Sequence, residues 1–191
     1  MPIYFALFDT KIGQCGIAWG TRGIAGVQLP ESNGRKTRAR LLQRFPEAQE
    51  AEPSAEAKLV CDAIASLLCG EPRNLSAIPL DMTSVPPFHR RVYDAARKLP
   101  RGTTTTYGTL AERIGAAGAT RAVGQALARN PFAIIVPCHR VVAAGGKTGG
   151  FSANGGVTTK LRLLAIEGMY HQKATRRSSE LFSAARSHRI V

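Results

Sequence analysis

The word Pro137-Cys138-His139-Arg140 sets a thiol, an imidazole and a guanidinium side by side in an otherwise apolar run, FAIIVPCHRVV. A thiol attacks only as thiolate, so a nucleophilic cysteine needs a base or a positive field beside it. His139 and Arg140 offer both, and no carboxylate stands between Arg113 and Ile166. Neighbouring side chains on an extended strand point to opposite sides, so a Cys138–His139 contact needs either a bend, for which Pro137 is a natural cause, or a bridging water. Spacing alone leaves two readings of Cys138 open, a nucleophile and a small buried hydrophobe. Cys15, Cys61 and Cys69 read as the second kind. The four cysteines form no CxxC and share no ligand spacing with His89, His139, His171 or His188, so neither a disulfide framework nor a metal site is expected.

The elements that must position this word come in two groups. IYFALF, CGIAWG and IAGVQL are short β-rich runs separated by turns, which predicts a two- or three-stranded antiparallel meander. SNGRKTRARLLQRF predicts a helix opening at Ser32-Asn33-Gly34, with Leu41, Leu42 and Phe45 on one face. PSAEAKLVCDAIASLLCG predicts a second, with Leu59, Val60, Ala63, Ile64, Leu67 and Leu68 as its apolar stripe and Gly70 as its stop. Residues 71–87 read as a linker with a short strand. From Phe88 the pattern is helix upon helix: FHRRVYDAARKLP, YGTLAERIG, and TRAVGQALARNP with Thr120 as N-cap and Asn130-Pro131 as stop. The last two, joined by a tight Gly-containing turn, form a helix-turn-helix pattern, although an ordinary helical hairpin would look the same. A Gly-rich loop and the helix VTTKLRLLAIEG follow the PCHR word. The expectation is a small α/β domain over 1–86, a mostly helical domain over 87–170 and a basic, poorly ordered tail over 171–191.

Charge separates the same two halves. Residues 1–86 hold nine basic and nine acidic residues, whereas 87–191 hold 17 basic and 4 acidic, the whole of the +13 excess. Such asymmetry points to a polyanionic partner for the second half, nucleic acid first and anionic membrane second. No apolar stretch approaches a membrane span, and MPIYFALFDT lacks the basic start and long apolar core of a signal peptide, so a soluble cytoplasmic protein is expected.

The second half resembles the O6-alkylguanine-DNA alkyltransferases, the methylated-DNA–protein-cysteine methyltransferase family. The resemblance runs from Phe88 through VYDAARKLPRGTTTTYGTLAERIG, TRAVGQALARNP and PCHRVV to GGVTTKLRLLAIEG. PCHR alone is a weak word; flanked by RAVG…NP and GG…K…LL…EG it is specific. The first half is similar only in kind, as the small strand-rich domain the family places there. A winged-helix-like second domain is implied.

The resemblance implies irreversible transfer of an alkyl group from guanine O6 to a cysteine, with no metal or organic cofactor, and leaves activity on thymine O4 open. Cys138 corresponds to the acceptor. His139 corresponds to the base that draws the thiol proton through a water, and Glu167 to the acid that orients it. Tyr107 corresponds to the tyrosine that donates to the guanine ring as its negative charge develops. Arg121 corresponds to the arginine that fills the duplex where a nucleotide has been flipped out, with Thr120, Ala122 and Gly124 on the same helix against the minor groove. Asn130 corresponds to the asparagine that brace helices and loop, and Val141 to a backbone carbonyl facing the guanine amino group. The loop GGKTGGFSANGG departs from the family pattern: where some members carry Tyr-Ser before the Gly-Gly pair, this chain has Ala153-Asn154, so Phe151 and Asn154 are the expected pocket wall. The implied partner is double-stranded DNA, bound by a monomer. Two rivals stand beside this reading: a lesion-binding protein that recognises alkylated DNA but transfers poorly because its loop is altered, and a cysteine hydrolase acting on small substrates, for which the acid-free helix pair has no use.

Overall fold

The computed structural model describes residues 1–169, and the expected tail, with His171 and His188, lies outside the described residues. The three β-rich runs form the expected meander, β1 (Tyr4–Thr10), β2 (Gly13–Gly20) and β3 (Gly23–Gln28), with Tyr4 opposite Trp19 and Phe8 opposite Cys15. The sheet is mixed, not purely antiparallel. A two-residue strand β4 (Gln49–Glu50) adds in parallel beside β1, giving the order β3-β2-β1-β4. An exposed pair in an acid-rich segment leaves no alternation to read, which is why the sequence hides it.

Alternate side chains of the meander serve two layers. Phe5, Ala18 and Ala25 pack with Leu41 of α1 (Gly34–Arg44), capped by Asn33, whose side chain accepts from the Lys36 amide at 3.0 Å. Cys15, Ile17 and Trp19 face the main core, where α2 (Ala55–Leu68) contributes Ala57, Val60, Cys61, Ile64, Leu67 and Leu68. Leu59 is not part of that stripe: it lies on the opposite face of α2 and is 70% exposed. Cys69 also departs from expectation, because it caps the helix C-terminus and is exposed, whereas Cys15 and Cys61 are buried. Gly23 enters β3 at φ +111°, and a Cβ there would meet the Pro79 carbonyl oxygen at 2.5 Å. That close approach lets Ile24 donate to Pro79 at 3.0 Å, while Val27 donates to Pro131 at 2.8 Å. The β3 edge is thereby covered by the linker at Pro79 and by second-half chain at Pro131, and one hydrophobic cluster runs from Ala6 to Leu163.

The second half is helical: α3 (Pro87–Arg97), α4 (Tyr107–Arg113), α5 (Thr120–Ala128) and α6 (Gly156–Ile166). α3 buries Val92, Tyr93 and Ala96, and the Tyr93 hydroxyl donates to the Ala126 carbonyl at 2.9 Å, tying α3 to α5. Thr120 is the first residue of α5, not its cap; Ala119 occupies that position and offers no side-chain bond. β5 (Thr105–Thr106) and β6 (Val141–Val142) pair in parallel over two residues and bring the start of α4 beside the end of the PCHR word. Among the described residues, no helix is long and apolar enough to cross a membrane.

Candidate functional site

The PCHR segment is not a strand. Cys138–Arg140 form one turn of 3-10 helix, entered through Pro137, with the Arg140 amide donating to the Pro137 carbonyl at 2.9 Å. The turn removes the alternation that would have driven Cys138 and His139 to opposite sides. Asn130 fixes the approach: its amide donates to the Val136 carbonyl at 2.9 Å, and its oxygen accepts from the Phe132 amide at 2.9 Å. Ile134, in the same segment, is buried at φ +72°, a conformation that a β-branched side chain adopts only when its surroundings force it.

Behind the turn lies a buried hydrogen-bonded triad. His139 Nε2 and Glu167 Oε1 are 2.8 Å apart, and Arg140 donates from Nε to Glu167 Oε2 at 2.9 Å and from Nη2 to Oε1 at 2.8 Å. The spare Nη1 of Arg140 donates to the Leu99 carbonyl at 2.6 Å. Burial alone would push Glu167 up, but the bonds and charges of His139 and Arg140 overcome it and hold the carboxyl at about 2. Glu167 is therefore ionised at neutral pH and can only accept. Burial pushes His139 below its ordinary value despite Glu167, so the ring is neutral, with its proton on Nε2 toward the carboxylate. Its Nδ1 is buried and has no hydrogen-bond partner among the described residues. A neutral imidazole with one nitrogen held by a carboxylate and the other left as a bare lone pair is built to take a proton.

Cys138 itself is half-buried. Burial pushes its thiol up, while a hydrogen bond from Asn130 and the charge of Lys160 pull it down. It opens on a cavity of about 500 Å³ whose wall includes Tyr107, Arg121, Gly124, Gly150, Phe151 and Ser152. Tyr107, the first residue of α4, is half-buried, and its hydroxyl reaches the Gly150 carbonyl at 3.5 Å. Burial raises its pKa, so it remains a donor. Gly149 passes so close to this ring (φ +70°) that a Cβ would lie 3.0 Å from Tyr107 Cε2.

The expected site residues divide by position. Cys138, Tyr107, Arg121, Gly124 and Phe151 share one cavity; Asn130 lines a smaller adjoining one that also touches Cys138. His139 and Glu167 stand behind the cysteine. Thr120, Arg121 and Ala122 are exposed along α5, whose buried face is Val123, Ala126 and Leu127. The Val141 carbonyl accepts from Lys160 Nζ at 2.6 Å, which leaves one lone pair for a further donor. Asn154 does not reach this cavity: it lines a separate groove with Lys36 and Arg40 of α1. Two residues went unread in the sequence. Ser152 follows Phe151 on the cavity wall, and the Phe-Ser pair shortly before the Gly-Gly pair was the available signal. Lys160 is fully buried without a carboxylate partner among the described residues, and its Nζ sits 5.7 Å from the Tyr107 ring centre. Nothing in a lysine on an amphipathic helix announces that.

A mixed sheet followed by a helix pair, with a cavity-facing cysteine backed by a buried His–Glu pair, is the arrangement of a DNA-alkylation repair domain, and residues 87–169 match the family described as 6-O-methylguanine DNA methyltransferase, DNA binding domain. A methylated-DNA–protein-cysteine methyltransferase of Methanothermobacter thermautotrophicus is 34% identical over 154 residues, covering 81% of this chain and 79% of the relative. The Mycobacterium tuberculosis OGT crystallised with DNA superposes with a TM-score of 0.70 at 31% identity, covering 86% of this chain and 92% of that one. A DNA base-flipping protein of Thermus thermophilus is 40% identical over 124 residues, 65% of this chain and 81% of the relative. The chain belongs to the methylated-DNA–protein-cysteine methyltransferase family.

Proposed function

We propose that this protein repairs DNA by transferring a methyl or larger alkyl group from guanine O6 to Cys138, once per molecule. The observation that carries the reading is the pairing of a cavity-facing thiol with a buried imidazole whose Nε2 is held by ionised Glu167 and whose Nδ1 has no partner among the described residues. In the first step the Cys138 proton passes to His139 Nδ1 through a water, and the imidazolium formed is stabilised by Glu167. The sulfur then attacks the alkyl carbon, and the C–O6 bond breaks with its electron pair going to the guanine. The Tyr107 hydroxyl donates a hydrogen bond to the departing ring as that charge grows. Val141 receives the guanine amino group, and Phe151 and Ser152 wall the base. The product is a thioether, which no residue here can cleave, so the protein is consumed.

A target atom inside the base stack is unreachable, so the nucleotide must be extruded. α4 and α5 are the helix-turn-helix of a winged-helix-like DNA-binding unit that begins near residue 87, with the strand-rich first half as its support. The exposed Thr120–Ala122 face lies in the minor groove, and Arg121 fills the gap left by the flipped base. Single small residues at Ala122 and Gly124 allow close approach. A monomer suffices, because the cysteine, base, tyrosine and arginine all come from one chain.

The test separates transfer from mere binding. Cys138→Ala should bind a duplex carrying O6-methylguanine as tightly as the parent and move no methyl group. Methyl transfer by Cys138→Ala, or a parent protein that binds the lesion and leaves it methylated, would overturn the reading; the second outcome would match the rival in which the chain only flips and holds alkylated bases.

A further inference from the structure

A second cavity, of about 470 Å³, borders the catalytic turn through Pro137 and Arg140 yet shares no lining residue with either cavity that touches Cys138. It lies between residues 72–76 and the C-terminal end of α3. Five cations line it, Arg73, Arg97, Lys98, Arg101 and Arg140, and among the described residues no carboxylate does. Two of the five are neutralised, Arg73 by Glu71 and Arg140 by Glu167. The other three have no carboxylate within salt-bridge distance among the described residues, whereas Arg22 and Arg38 elsewhere on the surface do.

The two arginines are held in place by backbone oxygens. Arg97 donates to the Ser76 carbonyl and to that of Ile78 at 2.6 Å; Arg101 donates to Gly70 at 2.6 Å and to Ile166 at 2.9 Å. All of these bonds use Nη2. The Nε–H of each is buried and without an acceptor among the described residues. Burial pushes the Arg97 guanidinium below its ordinary value, with Asp94 acting against that from beyond contact. Rigid, partly desolvated guanidinium groups, whose Nη1 makes no hydrogen bond among the described residues, suit a doubly charged, oxygen-rich anion, which can accept several bonds at once. Leu75 supplies an apolar wall, and the volume exceeds what a bare phosphate would fill.

We propose that this cavity binds a small phosphate monoester of about mononucleotide size, its phosphate on Arg97, Lys98 and Arg101 and its organic part against the Leu75 side. The same phosphate chemistry could come from a free nucleotide or from the 5′-phosphorylated end of a DNA strand. A duplex is too broad to enter.

The test follows the arginine Nε–H resonances of the ¹⁵N-labelled full chain. Deoxyadenosine 5′-monophosphate should move the Arg97 and Arg101 signals, assigned through Arg97→Lys and Arg101→Lys, with a Kd below about 1 mM. Deoxyadenosine should move neither, and inorganic phosphate should need at least about tenfold more. Lys98→Gln, at an exposed position, should weaken binding about threefold to tenfold without changing the fold. Tighter binding of a 5′-phosphorylated oligonucleotide than of its unphosphorylated twin, with the same two signals moving, would assign the source to a strand end. Unmoved Nε–H signals, equal responses to nucleoside and nucleotide, or full affinity in Lys98→Gln would overturn the proposal. Cys138→Ala must titrate like the parent, so a failure of the transfer reading leaves this test intact.

Discussion

Replacing Glu167 with Gln isolates the role of the buried charge. Glu167 holds both His139 Nε2 and the Arg140 fork, and its carboxyl sits at about 2 against an ordinary 4.5. That difference corresponds to about 3 kcal/mol at 1.36 kcal/mol per unit, similar to what breaking a buried ion pair costs. Because the folded value is the depressed one, this contribution is complete above pH 4.5 and disappears as pH falls toward 2. Glu167→Gln should therefore lose about 3 kcal/mol at neutral pH in urea denaturation, and its stability should fall less steeply with acid across that window. The kinetic effect has a different cause. A Gln amide can donate to Nε2 and drive the imidazole proton to Nδ1, removing the lone pair that receives the thiol proton. Loss of a positioned base costs about 10²–10⁴-fold. Single-turnover transfer from an O6-methylguanine duplex, at saturating protein, should slow by that factor with lesion affinity retained. The pH profile adds a second sign: the parent should be near its plateau at neutral pH, because His139 titrates below its ordinary value. The variant should instead keep gaining rate into the alkaline range, where the raised Cys138 thiol ionises unaided. A variant within twofold of the parent, with an unchanged profile, would refute the assignment of His139 as a base held by Glu167.

Arg121→Ala should slow repair of duplex DNA by at least about tenfold, since unstacking costs a few kcal/mol, yet leave the slower reaction with free O6-methylguanine base unchanged; equal losses on both would move Arg121 into the chemistry. Affinity for duplex should fall steeply with salt, with a log–log slope of about −0.9 per phosphate neutralised, and a flat plot would remove the basic half as the footprint. Ser54→Ala deletes the acceptor for the Ala57 amide at 3.2 Å, so it should cost about 1 kcal/mol in urea denaturation with transfer unaltered.

The legible parts of this protein are those where a local pattern and its physical cause lie in the same few residues. The three β runs, the Asn33 start and the Gly70 stop were all of that kind, and the family words carried Cys138, His139 and Glu167. What escaped depends on partners distant in sequence. β4 exists because β1 lies beside it, and Leu59 is exposed because the stripe of α2 is centred on Ile64. Cys69 sits past the last buried turn. The bend at Cys138 was foreseeable from Pro137, but the identity of a 3-10 turn, closed by Arg140 and secured by Asn130, needs the folded loop. Lys160 buried against Val141, and Arg97 and Arg101 without a carboxylate partner among the described residues, belong to the same class: their surroundings are assembled from residues tens of positions away.

The central claim is that Cys138 takes the alkyl group. Intact mass spectrometry of the full chain, after incubation with excess duplex carrying one O6-methylguanine, tests it directly. The account predicts a quantitative gain of one methylene equivalent, found on the peptide containing Cys138, and no gain in Cys138→Ala. An unchanged mass beside a clear shift of the duplex in a gel, or a gain located on Cys15, Cys61 or Cys69, would contradict it.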